Sequence, residues 1–329
     1  MFEERSLDHL KATLGGLGAS MLKQWRIALI MMVVMAFGIF ISACGDATST
    51  GSSSTPASGA STAGTPGTYN CVQGSLTTNG STALGPLVQK VAADYQSKCS
   101  GASITTQLTA SGTGITAVEG GNAGIGSSDV YASKTKYPDL VDHQVAVIPF
   151  AVVVNSQATG VTNLTSAQIK DIYTGKVTNW SQVGGPNLPI VTVSRAAGSG
   201  TRVTFEQFVL GTGETVTGAS HITESTTGAV QKAVAQTAGA IAYIATSGIG
   251  VLKAISIDGV AESDANIQNN TYKFWNVEHM YTKGAATGLA QALIDYMTSP
   301  TGKQLAKGLG FIDVTTVPQN ILTTREPAA

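Results

Sequence analysis

Charged side chains are scarce in this chain: Asp, Glu, Lys and Arg together make up 12% of the residues, and the formal net charge is −1. No basic field is available to attract a polyanion, so nucleic acid is excluded as a partner, as is adhesion to an anionic membrane through surface charge. Aromatic residues are few, at 6%, which argues against a platform on which bases could stack. Histidine is rarer still, at four residues. His143, His221 and His279 stand far apart without ligand spacing, and no C-x-x-C pair occurs, so nothing in the sequence supports a metal centre. The nucleophile elbow G-x-S-x-G is missing, and the segment Gly198-Ser199-Gly200-Thr201-Arg202 lacks the lysine of a P-loop. Hydrolysis of phosphate esters or peptides is therefore disfavoured, and no catalytic residue or cofactor is expected.

Glycine, by contrast, is abundant at 38 residues, and with 43% apolar residues the 329-residue chain can bury cores for two lobes. Lys23 and Arg26 precede an unbroken apolar run from Ile27 to Ile41, followed by Ser42-Ala43-Cys44-Gly45. This reads as an export signal over residues 1–44. It is similar to the signals of bacterial lipoproteins, in which the cysteine after such a run is lipidated, and that similarity implies lipidation of Cys44. An uncleaved membrane anchor is the alternative, although the run is short for a bilayer span. Both readings put the body of the protein outside the cytoplasm. The long stretch before Lys23 is unusual for a signal and raises Met21 as an alternative start. Residues 45–70, nearly all Ser, Thr, Gly, Ala and Pro, read as a flexible tether. With Cys44 lipidated, Cys71 and Cys99 are left as a candidate disulfide.

From Cys71 onward, short apolar strands alternate with amphipathic helices, the pattern of an α/β fold. Strands are expected near Val72–Thr77, Ser103–Leu108 and Ala123–Gly126. Each ends in small polar residues: Asn79-Gly80-Ser81-Thr82, Ala110-Ser111-Gly112-Thr113-Gly114 and Ser127-Ser128-Asp129. Ligands of open α/β sheets bind at that carboxyl edge. A buried strand is expected over Val145–Val154, a helix over Ser166–Tyr173 opened by a Thr165/Gln168 capping box, and a turn from Asn179 to Pro186. Strands over Leu188–Val193, Ala240–Ile244 and Leu252–Ile257 follow, with helices near Ala229–Ala235, Gly288–Met297 and, last, Gly302–Leu309. Crossovers near Phe150 and Ala245 suggest lobe I over residues 71–150 and 246–329 and lobe II over 151–245, joined by a hinge of two crossover strands.

The segment Ser194-Arg195-Ala196-Ala197-Gly198-Ser199-Gly200-Thr201 lies between a strand-like run and the helix-like run Val203–Leu210. A helix N-terminus offers unpaired N–H groups and a partial positive charge, and the fork of Arg195 can grip two oxygens of one oxyanion. A plain capped helix with Arg195 in a surface ion pair is the alternative reading of this segment taken alone.

The stretches NGSTALGPL, TASGTG, IGSSDV, NLTSAQIKDIYTGKVTNWSQVGG, VSRAAGSGTRVTFEQFV and GAIAYI, in this order, resemble the phosphate-binding proteins of bacterial phosphate-specific ABC transporters. The resemblance implies a type II periplasmic-binding-protein fold, inorganic phosphate as ligand, a permease partner, and a monomeric receptor that is not an enzyme. By position it implies phosphate ligands at Thr82, the backbone of Ala83, Ser111, Asp129, Arg195, Ser199, Gly200 and Thr201. Ala197 departs from the pattern: some members carry there an aspartate that pairs with the arginine, so a partner for Arg195 is not implied. A carboxylate at Asp129 has a chemical meaning of its own. Beside a dianion it is repulsive unless a proton lies between them, which phosphate can bring and sulfate cannot. A receptor for a related oxyanion, or a phosphate sensor without transport, are the other readings.

Overall fold

The computed structural model describes residues 69–326. The expected export signal, Cys44 and all but the end of the tether lie outside the described residues. In chain order the strands are β1 Gly74–Gly80, β2 Ala102–Leu108, β3 Ile125–Ser128, β4 Leu140–Val154, β5 Asn163–Leu164, β6 Val191–Arg195, β7 His221–Glu224, β8 Ala240–Ala245, β9 Lys253–Ile257 and β10 Trp275–Lys283. The helices are α1 Gly85–Lys98, α2 Ser111–Glu119, α3 Ser166–Tyr173, α4 Gly200–Phe205, α5 Thr227–Gln236, α6 Asp264–Gln268, α7 Gly288–Thr298, α8 Pro300–Gly308 and α9 Gln319–Leu322.

The strands follow one path, β2-β1-β3-β10-β4-β8-β6-β7, with β9 on β4 and β5 on β9. Its two halves meet on β4. Residues Leu140 to Pro149 pair with β10, whereas Phe150 to Val154 pair with β8 and β9. Phe150 and Ala245, the expected crossover positions, are register partners. Val145 to Val154 are all buried, as befits a strand covered on both faces that carries an unbroken apolar run. In the first half β1, β2 and β3 are mutually parallel, and in the second β6 is parallel to β7 and β8. Their carboxyl ends therefore share one edge in each half.

Several boundaries differ from the sequence reading. β1 and β3 run on through Asn79-Gly80 and Ser127-Ser128, residues expected in loops, because both bond to a neighbouring strand. Ser111 to Gly114 open a helix instead of preceding one. The helix after Arg195 starts at Gly200, not Val203, and continues as a π-helical turn over Glu206–Leu210. The Asn179–Pro186 turn is a short 3-10 helix, Trp180–Val183, opened by an Asn179/Gln182 capping box, while the indole of Trp180 donates to the Gly239 carbonyl at 2.9 Å. The helix expected as the last, now α8, is followed by α9. β10 was not foreseen, although it lies at the centre of the sheet path between β3 and β4.

The core runs continuously across both halves. Phe205 of α4 stacks on Tyr243 of β8 with centroids 4.1 Å apart and meets Phe274, just before β10, at 5.4 Å. Near the first strand, a Cys71–Cys99 disulfide with Cα atoms 5.2 Å apart ties the approach to β1 to the end of α1. At the other end of the chain the guanidinium of Arg325 lies between the rings of Phe208 and Trp275, 3.9 Å from each centroid. His279 is fully buried and pairs with Asp142 at 2.8 Å, a structural contact between β10 and β4.

Candidate anion-binding site

Residues expected to bind the ligand come from five places in the chain and meet in one buried cluster. Thr82 and Ala83 follow β1, Ser111 is the first residue of α2 after β2, and Asp129 follows β3. Arg195 ends β6, and Ser199, Gly200 and Thr201 cap and open α4. Asp129 and Arg195 are each only 2% exposed, and the hydroxyls of Ser111, Ser199 and Thr201 are equally inaccessible.

Close packing of glycines brings the first half of the cluster together. A Cβ on Gly114 of α2 would stand 2.6 Å from the Asn79 carbonyl of β1, so the helix rests directly on the strands. Ser111 at its tip can then accept from the Asp129 backbone N–H at 3.1 Å. Ser81 has two tasks. Its oxygen accepts from the N–H groups of Ala83 and Leu84 at 3.0 and 3.1 Å, capping the turn into α1, while its hydroxyl donates to Asp129 Oδ1.

In the second half, the Ser199 side chain accepts from Arg202 N–H at 3.4 Å, which caps α4 and leaves its first N–H groups without partners inside the helix. Arg202 holds the main chain behind Arg195, donating through Nη1 to the Arg195 carbonyl at 2.9 Å and through Nε to Glu206 at 2.9 Å. The Tyr243 hydroxyl accepts from Arg195 N–H at 3.0 Å, and Tyr243 itself donates to Glu214 at 2.5 Å. Burial raises the pKa of Glu214, an effect opposed by its bonds to Ser194 and Tyr243 and by the charge of Arg202.

Several contacts between the halves are made by residues that the resemblance singles out. Arg195 Nη2 donates to Thr82 Oγ1 at 3.1 Å and to the Ser225 carbonyl at 3.1 Å, and Nη1 reaches Thr201 Oγ1 at 3.4 Å. Thr201 in turn donates to Asp129 Oδ2 at 3.0 Å. Main chain meets main chain where Gly112 N–H donates to the Gly198 carbonyl at 3.0 Å. A Cβ at Gly200 would lie 2.5 Å from Ser111 Oγ and 2.8 Å from Asp129 Cβ, so only glycine fits there. Arg195 Nε is buried with no partner among the described residues, a donor fit for one more acceptor. With Ala197 in place of an acidic partner, Thr82, Thr201 and the Ser225 carbonyl hold the two terminal nitrogens of Arg195.

Electrostatically the cluster sets a buried guanidinium near a buried carboxyl group. Burial raises the pKa of Asp129, opposed by the Ser81 hydrogen bond, the charge of Arg195 and the Thr201 bond. Burial lowers that of Arg195, opposed chiefly by Asp129. Hydroxyls, backbone N–H groups and a guanidinium converge on a carboxylate, which is a donor-rich setting for an oxyanion with a single acceptor placed among the donors. A surface cleft of about 460 Å³, lined in part by Thr82 and Thr227, opens beside the cluster. A second, of about 530 Å³, lies far off against residues Val314 to Leu322, with none of these side chains in its wall.

A model of the PBP superfamily domain matches residues 53–301. The phosphate-binding protein PstS of Bacillus subtilis is 39% identical over 293 residues, which cover 87% of this chain and 93% of its own. The chain belongs to the PstS-like phosphate-binding proteins. Among solved structures, a Clostridium perfringens protein assigned as a phosphate ABC transporter substrate-binding protein, with bound phosphate, is 30% identical with a TM-score of 0.68, covering 73% of this chain and 100% of its own. An ABC-type phosphate transport receptor from Vibrio cholerae is 27% identical with a TM-score of 0.60, covering 72% and 99%. The curled α/β architecture of this PstS-like chain is theirs, a type II periplasmic-binding-protein fold.

Three participants escaped the sequence reading. Thr227 donates from its backbone to Thr82 Oγ1 at 3.1 Å, and the two hydroxyls lie 3.0 Å apart. The run Ser225-Thr226-Thr227-Gly228 before α5 has the same small-polar signature as the other loops and could have been read alike. Ser81 was seen only as loop. Glu278, fully buried on the unforeseen strand β10, had no local signal at all.

Proposed function

We propose that this PstS-like protein captures inorganic phosphate between its two halves and delivers it to the permease of an ABC transporter. It binds and releases its ligand unchanged and is not an enzyme. The observation that carries the reading is the placing of Asp129, a buried carboxylate, in a cluster whose other groups are Arg195, hydroxyls and a helix N-terminus. The cation and the dipoles attract any oxyanion, and the carboxylate admits the one that still has a proton to donate. The sequence reading places residues 71–150 and 246–329 in lobe I and 151–245 in lobe II, with the hinge through β4, but β9 corrects the second boundary: it pairs with β5 and with Val152–Val154 of β4 and so belongs with lobe II. Thr82, the Ala83 N–H, Ser111 and Asp129 bind from lobe I. Arg195, Ser199, Gly200 and Thr201 bind from lobe II. Because the ligand would touch both, it stabilises the closed arrangement.

The chain acts outside the cytoplasm as a monomer, held at the cell membrane by a lipid on Cys44 and by the tether of residues 45–70. Among the described residues no helix is long and apolar enough to cross a membrane. Calorimetry on a chain lacking the first 68 residues tests the ligand: micromolar phosphate binding, competed by arsenate and not by sulfate, is expected, and no heat with phosphate would refute the reading. Replacement of Cys44 by alanine is expected to release the protein from membranes of the cells that make it, whereas unchanged membrane association would exclude lipidation there.

A further inference from the structure

Strand β10 carries a carboxyl for which anion capture alone gives no reason. Glu278 is 0% exposed, and neither of its side-chain oxygens has a hydrogen-bond partner among the described residues. An ionised carboxylate so placed loses its hydration and regains nothing. The antiparallel register points to its neighbour: His279 faces Ser128 and Met280 faces Ser127, so Glu278, one residue beyond the last pair and at an irregularity of the β4–β10 ladder, lies against the start of the loop at Asp129, whose carboxyl it contacts. Residues opposite one another in neighbouring strands share a face of the sheet. As two anions these groups could only accept and would repel, but one proton between them makes an O–H···O bond and satisfies the buried acid.

We propose that Glu278 is held as a neutral acid that donates a hydrogen bond to Asp129, and so keeps Asp129 in the ionised, accepting form that selects a proton-bearing oxyanion. The inference rests on the phosphate-receptor reading for its consequence, not for the pairing itself. A carboxylate has about four acceptor positions. Ser81 takes one on Oδ1 and Thr201 one on Oδ2. Glu278 takes a third, which leaves one for a donor that the ligand must bring.

The location of the proton follows from the surroundings. Burial first, and then the charge of Asp129 and contact with it, raise the pKa of Glu278 well above the ordinary range. Asp129 is raised by burial too, but Ser81, Arg195 and Thr201 pull it back, and no such group pulls Glu278. Other elements packed on β10 add no charge at this point. The β4 partner of Glu278 is Ala146, while Asp142 is engaged by His279 and His143 by Thr282. From α2 come Ser111, which bonds to Asp129, and at its far end Glu119, which pairs with Lys283. From α4, Thr204 accepts from Asn276.

The test uses the full-length protein and the variants Glu278→Gln and Glu278→Leu. Carbon-13 NMR of labelled glutamate carboxyls, without ligand, should show one resonance of a neutral acid between about pH 6 and 8, absent from the Glu278→Gln spectrum. In calorimetry with phosphate and sulfate, Glu278→Gln keeps an N–H donor and should bind phosphate within about threefold of the unaltered protein. Glu278→Leu removes the donor and should weaken phosphate about tenfold and narrow its margin over sulfate. A Glu278 resonance that is ionised at neutral pH overturns the inference, as does phosphate binding by Glu278→Leu equal to that of the unaltered protein. Failure of the unaltered protein to bind phosphate would instead refute the receptor reading, while the NMR result would still decide the pairing.

Discussion

Two arginines are buried among the described residues, and their surroundings could hardly differ more. Arg195 is 2% exposed and Arg325 is 5% exposed, and each has an Nε without a partner. Around Arg195 stand a carboxylate, hydroxyls and a carbonyl, contributed by both halves of the sheet. Around Arg325 stand two aromatic faces and a single amide acceptor, Asn270 at 3.2 Å. Burial pushes the pKa of Arg325 down to about 9, with no carboxylate to oppose it. The ring faces supply what opposition there is, since a cation is attracted to the negative face of an aromatic ring. Burial of a cation therefore does not make a binding site. What distinguishes Arg195 is a set of mobile-proton groups that can trade partners with a ligand, whereas Arg325 is a clasp that fastens the C-terminal segment to the core.

Exchange of the two roles is the way to break this contrast. Arg195→Ala should weaken phosphate binding at least about a hundredfold, since a charged donor to a buried anion is lost, while far-ultraviolet circular dichroism stays unchanged. A variant that still binds within tenfold would reduce Arg195 to a structural contact. Arg325→Ala should do the reverse: urea denaturation should show a loss of about 2 kcal/mol from the missing cation–ring packing, with phosphate affinity unaltered. A drop in affinity as large as that of Arg195→Ala would show that the C-terminal clasp reaches the site.

Smaller effects sharpen the picture of the polar cluster. Asp129→Asn replaces an acceptor by a group that can donate, and should cut the preference for phosphate over sulfate about tenfold, read by competition calorimetry. Unchanged selectivity would remove Asp129 from that role. The smallest effect concerns pH. A buried acid whose pKa is raised by folding makes the native state bind more protons than the unfolded one, so stability falls as pH climbs above the ordinary glutamate value of about 4.5 toward the folded value. Glu278→Gln should flatten that decline in melting temperature. An identical slope in both proteins would mean that Glu278 ionises normally.

How much of this was legible in the sequence depended on the range over which each signal acts. Thr165/Gln168 and the end of α3 were readable because a capping box and a helix stop are local. So were the clustered small polar residues after β1, β2 and β3, and Arg195 with its helix. Strand ends were misplaced because Asn79-Gly80 and Ser127-Ser128 have turn composition, and only pairing with neighbours makes them strand. β10 was missed for a related reason. Its residues Asn276, Glu278 and His279 are polar and buried, with Asn276 and His279 answered by partners distant in sequence, so no apolar alternation marks the strand. The support of Arg195 by Tyr243 and the Ser225 carbonyl, and the neighbourhood of Glu278 and Asp129, exist only after the sheet has formed.

The close approach at Gly200 sets a tolerance for the whole device. Where the two halves touch, the stop is made of main chain, with Gly112 bonded to Gly198 and no side chain on Gly200 to act as a spacer. A gauge cut from backbone does not drift as side chains are exchanged around it. One methyl group added at residue 200 would work as a shim, wedging the jaws apart against Ser111 and Asp129. On the phosphate-receptor reading proposed above, a phosphate bearing an organic substituent would meet that main-chain contact before it could trail its tail through the seam, a test of size added to the test of charge proposed for Asp129.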